Sequence, residues 1–492
     1  MVGLECPRVL PGVSRNISMR ESMHFRLSVV PLLLLLLWPS AARSQEAQDA
    51  QNAVDVKPSP QQVAWQDLEI GVLIHFGPNT FLNQEWGDGT ASPSVFNPSD
   101  VDTNQWMQAA KAAGAKYAVL VAKHHDGFAL WPSAQTSYSV KSSPWLGGKG
   151  DLVRMASNSA RAHGLQFGVY LSPWDRHDPR YKDPAAYDQY YLAQLTELAS
   201  HYGNLVEFWL DGAGSAGRTY DFQKIVDTLR TYQPNTMVFA DVGLFQYADL
   251  RWVGSENGTI PYQNWNVVDR SGYLRWRPVE ADTPLHKRHW FWHPNDTASL
   301  KSVAELVDVY NKTVGHGGQL MLGIAPDRTG RLPEADAARL KEFGAAIHLL
   351  YGPERNLMTA DHAVASSDSA ASAAGTASAA SAVDGDPDTF WSAPQGSHHA
   401  TIEVIFPHPV TFDRSLTMEW LNDGQHVEKY AVDAVVNGHW QRLVEAQAIG
   451  HKKIDIFTPV TARRVRLELL STTGPAHIRE FQLFNDAQVT LP

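Results

Sequence analysis

YAVLVAKHHD, from Tyr117 to Asp126, is a run of six apolar residues followed at once by a lysine, two histidines and an aspartate. A short apolar, β-prone run of this kind reads as a strand core. Working outward, similar runs recur at Ile70 to His75, Gln166 to Leu171, Val206 to Leu210, Met237 to Ala240, Leu250 to Val253, His289 to Trp292 and Gln319 to Ile324. Between them lie helix-like segments, among them Asn104 to Ala113, Leu152 to His163, Ala185 to Tyr202, Tyr220 to Tyr232 and Ser299 to Val314. Strand and helix in alternation predict parallel strands joined by crossover helices, and eight such strands predict an α/β fold closed into a (β/α)8-like, TIM-type barrel. A Pro- and Trp-containing stretch between the sixth and seventh runs predicts a distortion there.

The helical segment Leu332 to Leu350 closes this region, and Tyr351-Gly352-Pro353 breaks it. Ala363 to Ala382 is almost all Ser and Ala, which suits either a linker or the opening edge of a second domain. Short β-type runs follow at Thr401 to Phe406, Ser415 to Trp420, Ala431 to Val436 and Arg464 to Leu469, predicting an all-β sandwich. The expected domains are therefore 1–44, a signal peptide with flanking residues; 45–355, the barrel; and 356–492, the sandwich. Arg20 and Arg26 before the apolar run Leu27 to Trp38, with Ser40-Ala41-Ala42 after it, have the order of a cleaved secretory signal, so the expected location is periplasmic or extracellular. The single cysteine, Cys6, lies upstream of that run, which leaves the exported chain without a disulfide or a cysteine nucleophile. With 492 residues the chain has room for a large core. A net charge of -11 argues against nucleic acid and anionic membrane as partners, and 16 tryptophans suit a cleft that binds sugar.

In a barrel of this type the loops after the C-terminal strand ends build the active site. Here those ends run into His75, into Lys123-His124-His125-Asp126, and into Trp174-Asp175, Asp211, Asp241, Glu256 and His293. A lone aspartate at a strand end is often only a turn residue. Asp211 differs because it emerges from a buried strand with Trp209 on the same pleat face, and Glu256 holds a similar position after the sixth strand. Two carboxyl groups on one rim suit glycoside hydrolysis, one attacking or activating water and the other protonating the departing oxygen. His75, His124 and His125 admit three readings: contacts to sugar hydroxyls, structural histidines, or metal ligands, the last weakened by the absence of any HExxH or Cys/His array. Gly212-Ala213-Gly214-Ser215-Ala216-Gly217 matches GxGxxG, yet Asp211 beside it would repel a pyrophosphate.

Four segments in order, GVLIHFGPNTFLNQEWGDG (Gly71 to Gly89), YAVLVAKHHDGFALWPS (Tyr117 to Ser133), GVYLSPWD (Gly168 to Asp175) and VEFWLDGA (Val206 to Ala213), resemble glycoside hydrolase family 29, the α-L-fucosidases. The resemblance implies a retaining mechanism with Asp211 as nucleophile. It implies contacts to fucose hydroxyls from His75, Glu85, Trp86, His124 and His125, with Trp209 as an aromatic wall. RWVGSENG (Arg251 to Gly258) resembles the subgroup selective for α-1,3- and α-1,4-linked fucose, where Glu256 falls on the acid/base position; such an acid must begin protonated, which calls for partial desolvation. Glu280 and Asp282, in WRPVEADT, are competing acids or substrate contacts. The implied partner is a fucosylated oligosaccharide or glycan, cleaved without a cofactor. A broader fucosidase that also takes α-1,2 links, and a silent fucose-binding lectin, are the alternatives. The tail, above all SAVDGDPDTFWSAP (Ser381 to Pro394), resembles a discoidin-like or carbohydrate-binding sandwich, in which Asp384 and Asp386 either hold a structural calcium ion or form a plain turn.

Overall fold

The computed structural model describes residues 56–215, 217–240, 248–270, 273–358, 364–367, 378–394 and 396–486. The expected signal segment, Cys6 and Asp241 lie outside the described residues.

The apolar runs form β1 (Ile70–Ile74), β2 (Tyr117–Lys123), β3 (Gln166–Leu171), β4 (Glu207–Leu210), β5 (Met237–Ala240) and β6 (Arg251–Trp252). A hairpin of β7 (Val267–Arg270) and β8 (Tyr273–Trp276) precedes β9 (Val279–Pro284), and β10 (Gln319–Ile324) completes the set. Eight of these make one sheet in the order β5-β4-β3-β2-β1-β10-β9-β6, and every pairing in it is parallel. The two ends of that order approach each other where the Asp249 and Leu250 amides donate to the Val238 carbonyl, so the barrel is nearly closed.

The seventh barrel strand is a correction to the sequence reading. It is Val279–Pro284, and the expected run His289 to Trp292 lies in the loop that follows. Two acids and a flanking proline disguise the true strand, because a buried strand does not carry acids such as Glu280 and Asp282 on one face without partners; here that face is the barrel interior and partners are present. The predicted distortion falls between β6 and β9, where the hairpin replaces a crossover helix.

Helices α1 (Pro60–Gln66), α2 (Pro78–Leu82), α3 (Thr103–Ala112), α4 (Leu152–Ala162), α5 (Pro184–His201), α6 (Phe222–Tyr232), α7 (Val303–Thr313) and α8 (Glu334–Tyr351) accompany the strands. Asp102, Asp151, Asp183, Asp221 and Ser302 cap the N-termini of α3 to α7 by accepting backbone N–H bonds, which explains where each of those helices starts. Alternate strand residues face opposite ways. Val72, Ile74, Ala118, Leu120, Val169 and Leu171 pack outward against helices, while Leu73, Tyr117, Val119, Val121, Tyr170, Trp209 and Phe239 fill the barrel. Burial on both sides is why the strands are uninterrupted apolar runs. Trp65 of α1 joins the interior cluster, its Nε1–H donating to Glu207 at 3.1 Å.

Antiparallel strands form the C-terminal sandwich: β11 (Val364–Ser367), β12 (Trp391–Ser392), β13 (Ala400–Glu419), β14 (Val427–Val436), β15 (His439–Ala446), β16 (Lys453–Thr472) and β17 (His477–Phe484). Part of the Ser/Ala stretch is thus an edge strand, β11 pairing with β13. Leu416, Met418, Ile454 and Phe484 from the sandwich share a buried cluster with Tyr310 and Val314 of the barrel region.

Candidate active site

The end of β2 places two neighbouring histidines on one side of the sheet. Consecutive strand residues should alternate, but the pairing of β2 with β3 slips between Val121 and Lys123. An extra residue at such a slip re-aims the side chains after it. Lys123 turns outward, its Nζ donating to Asp175 (3.0 Å), Gln194 (3.0 Å) and Tyr187 (3.3 Å) inside a ring of tyrosines. The His124 and His125 rings lie 4.1 Å apart, and His75 from the end of β1 stands 5.8 Å from His124. All three are almost fully buried.

Burial dominates their electrostatics. His75 is pushed down to about 3 by desolvation and then by the charge of His125. His125 is also pushed down to about 3, by desolvation and then by Arg176 and Lys123. His124 lies well below the usual histidine range for the same reason. The cluster is therefore three neutral imidazoles at neutral pH, each able to donate from one nitrogen and accept at the other.

Asp211 follows β4 with the inward parity of Trp209. One carboxylate oxygen accepts from the Tyr170 hydroxyl at 2.8 Å and the other from the Ala213 amide at 2.8 Å, while His125 Nε2 stands 3.6 Å away. Hydrogen bonds of this kind favour the ionised carboxylate. Gly214 lets the following turn pass close to Trp174: a Cβ there would fall 2.3 Å from the indole, and its φ of +76° suits glycine. Trp86 is 53% exposed and meets His125 and Trp174 edge-on at 5.5 and 5.4 Å, forming an aromatic corner open to solvent.

Glu85 is a brace as well as a candidate contact. Its carboxylate accepts from the Trp290 amide (2.8 Å) and from His293 Nε2 (2.6 Å), which positions Trp290 and Phe291 against His75 at 5.1 and 5.2 Å. Trp209 Nε1–H donates to Glu280 at 2.7 Å, and Tyr117 donates to the other Glu280 oxygen at 3.2 Å. Glu280 has no exposed surface. Expected as a rival acid or substrate contact, Glu280 is found enclosed, with its two oxygens bonded to Trp209 and Tyr117, so that it anchors the Trp209 indole. Its neighbour is Glu207, also fully buried. Desolvation raises Glu207 to about 8, and desolvation together with the charge of Glu207 raises Glu280 well above the carboxylate range. Two carboxyls in one such enclosure cannot both ionise.

Asp282, two residues along β9, is 5% exposed and accepts from Trp252 Nε1 at 2.6 Å. Burial raises it to about 7, the Trp252 bond offsets part of this, and the charges of Glu256 and Asp211 add to the rise. Asp211 and Glu256 follow the C-terminal ends of β4 and β6 in an all-parallel barrel, and the Gly258 amide just after Glu256 donates to the Asp282 carbonyl, so the three carboxyls belong to one end of the barrel. Glu256 itself is exposed, so the protein alone does not supply the desolvation expected for it. Tyr170, Ser172, Trp290 and Phe291 were not singled out from the sequence. Tyr170 and Ser172 carried one signal, the inward parity of Gly168 on β3, whereas Trp290 and Phe291 were hidden by the misplaced seventh strand.

No group of three or more His, Cys, Asp or Glu side chains among the described residues is arranged to hold a metal ion. In the sandwich, oxygens converge on the Thr389 hydroxyl: Asp384 Oδ1 and Oδ2 (3.0 and 2.9 Å) and the Ser381 and Asp386 carbonyls (both 3.2 Å). One hydroxyl proton cannot serve four acceptors. Nearby, Glu480 is 2% exposed with a buried Oε1 that has no hydrogen-bond partner, and burial together with the charge of Asp384 pushes it up to about 7. This all-oxygen set fits a hard cation, with Asp386 contributing its carbonyl.

Residues 90–349 match the family described as Alpha-L-fucosidase, and residues 362–481 match the F5/8 type C domain. The chain is 33% identical over 429 residues to Alpha-L-fucosidase 1 of Arabidopsis thaliana, spanning 83% of each protein. It superposes on a Ruminococcus gnavus GH29 fucosidase in complex with fucose with a TM-score of 0.80 at 29% identity, covering 88% of this chain and 95% of that one. A glycoside hydrolase 29 family member from an unknown rumen bacterium gives a TM-score of 0.75 at 33% identity, covering 89% and 78%.

Proposed function

The chain belongs to the α-L-fucosidase family of glycoside hydrolases, and on that premise we propose that it is an exported, retaining exo-α-L-fucosidase that removes α-1,3- and α-1,4-linked fucose from branched, Lewis-type glycans. The observation that supports this reading is that Asp211 and Glu256 follow the C-terminal ends of parallel strands β4 and β6 of one barrel, with the His75, His124 and His125 cluster beside Asp211. Asp211, ionised, attacks the anomeric carbon while the bond from that carbon to the glycosidic oxygen breaks. Glu256, protonated, gives its proton to the departing oxygen. In the second step Glu256 takes a proton from water, the water oxygen bonds to the anomeric carbon, and the Asp211 carboxylate is released. Arriving glycan covers Glu256 and supplies the desolvation the free protein lacks. His75, His124 and His125, as neutral donors and acceptors, hold the sugar hydroxyls with Glu85 and Trp86, and Trp209 walls the sugar. Asp282, raised to about 7 by burial, is suited to a hydroxyl of the branching sugar.

The test is a time-resolved NMR assay on Lewis-type trisaccharides, 2'-fucosyllactose and an aryl fucoside. The expected product is fucose that appears first as the α-anomer, chiefly from the Lewis-type substrates. Asp211→Ala should lower kcat/KM by roughly 1,000-fold or more, and Glu256→Ala with azide should yield α-L-fucosyl azide through two inversions. First appearance of the β-anomer would sink the retaining mechanism. Equal rates on 2'-fucosyllactose would favour the broad enzyme, and fucose binding with no cleavage of any substrate would favour a lectin.

For the C-terminal domain the proposal is a structural calcium ion held by Asp384, Glu480, Thr389 and the Ser381 and Asp386 carbonyls, supported by the partnerless Glu480 oxygen. The charge of such an ion would offset the proximity of two carboxylates.

A further inference from the structure

Ser172 follows β3, is fully buried, and touches both His125 and the Asp211 backbone. Its Oγ donates to the Trp174 carbonyl at 2.8 Å and lies 3.4 Å from the Asp211 carbonyl. His125 Nδ1 stands 2.8 Å from the same Oγ. A serine hydroxyl has one hydrogen, and both carbonyls are acceptors only. The hydroxyl therefore has no proton left for the histidine and must accept from it. Nδ1 of His125 carries the hydrogen, and in a neutral ring Nε2 is then a bare lone pair. The 3.6 Å between Nε2 and Asp211 Oδ2 agrees, being longer than an N–H···O bond, as expected for two facing acceptors.

We propose that Ser172 is a positioning residue that fixes the His125 tautomer, so that Nε2 and Asp211 present paired acceptors which select a substrate with a donor hydroxyl on the carbon next to the anomeric centre. The inference rests on Asp211 as nucleophile. A hydroxyl at that carbon sits beside both acceptors when Asp211 is poised to attack, and as attack removes charge from the carboxylate, Nε2 becomes the better acceptor. The contact thus strengthens toward the transition state, where it raises kcat. The opposite tautomer would aim an N–H at Asp211, hydrogen-bond the nucleophile and leave the sugar hydroxyl without this acceptor.

The test compares 4-nitrophenyl α-L-fucoside with its 2-deoxy counterpart for wild type, Ser172→Ala and Ser172→Thr. Wild type should prefer the parent fucoside strongly. Ser172→Ala should lose about 10- to 100-fold in kcat/KM on the parent and about 3-fold or less on the 2-deoxy substrate, collapsing the preference, and Ser172→Thr should restore it. Equal loss on both substrates, no loss on either, or an undiminished preference would overturn the proposal. Should Ser172→Ala fail to fold, nitrogen chemical shifts of the His125 ring in labelled wild-type protein decide instead: a protonated Nδ1 with a bare Nε2 supports the assignment, and hydrogen on Nε2 overturns it. Asp211→Ala serves as the separate control. Full activity in that variant would remove the nucleophile assignment itself, whereas lost activity there with equal losses in Ser172→Ala removes only the role of Ser172.

Discussion

Tyr170 shows how one side chain couples the barrel interior to the reacting group. Its hydroxyl donates to Asp211 at 2.8 Å while its ring stacks 5.8 Å from that of Trp209, which Glu280 holds in turn. A bond to a charged acceptor contributes about 1.5–3 kcal/mol. Tyr170→Phe keeps the ring and removes the donor, so kcat/KM on an aryl fucoside should fall about 10- to 100-fold while the melting temperature stays within a few degrees of wild type. The identity of Asp211, His75, His124 and His125 as candidates was legible, because each stands at the end of an apolar run. Their supports were not, since Tyr170, Ser172 and Glu280 matter through partners distant in the chain.

At the scale of elements, the irregular end of β2 and the polar strand β9 decide the site. Both depart from simple patterns. A slip in register cannot be read from one strand, because it exists only against its neighbour. β9 escapes periodicity reasoning because its inward residues are acids, satisfied by Trp209, Tyr117 and Trp252. The interior is filled tightly around them. Gly71 of β1 pairs with Tyr117 of β2, and a Cβ at Gly71 would fall 2.4 Å from the tyrosine ring. Gly71→Ala should therefore push Tyr117 away from Glu280 and destabilise the protein by about 1–3 kcal/mol, seen as a lower urea midpoint at unchanged slope.

For the whole molecule, stability should be bounded on both sides of the pH scale. Glu69, just before β1, faces Lys452 and His451 of the sandwich. Burial alone would raise it, but Lys452 and His451 outweigh burial and hold it at about 2. A depressed carboxyl stabilises above its unfolded value, and that contribution is lost as pH falls through about 2. Glu207 and Glu280 act in the opposite sense. The folded protein keeps protons there that the unfolded chain releases, so their contribution is complete below the unfolded value and disappears as pH rises through about 8. Thermal melts should peak in the mildly acidic range and decline toward pH 9, and Glu207→Gln should flatten the alkaline decline; an unchanged slope would remove the pair as its cause. Chelation should lower the melting temperature of the wild type, with no such effect on Asp384→Ala, if the sandwich holds calcium.

Chain order and composition were sufficient for the eight-stranded barrel, the trailing sandwich and the rim residues, because strand burial and strand-end polarity are local properties that leave a periodic trace. Tertiary structure alone decided which acid anchors Trp209, which groups meet the two nitrogens of His125, and why two adjacent histidines face one pocket. Each of these depends on what stands opposite a residue across the barrel, and a linear pattern contains no information about the other side.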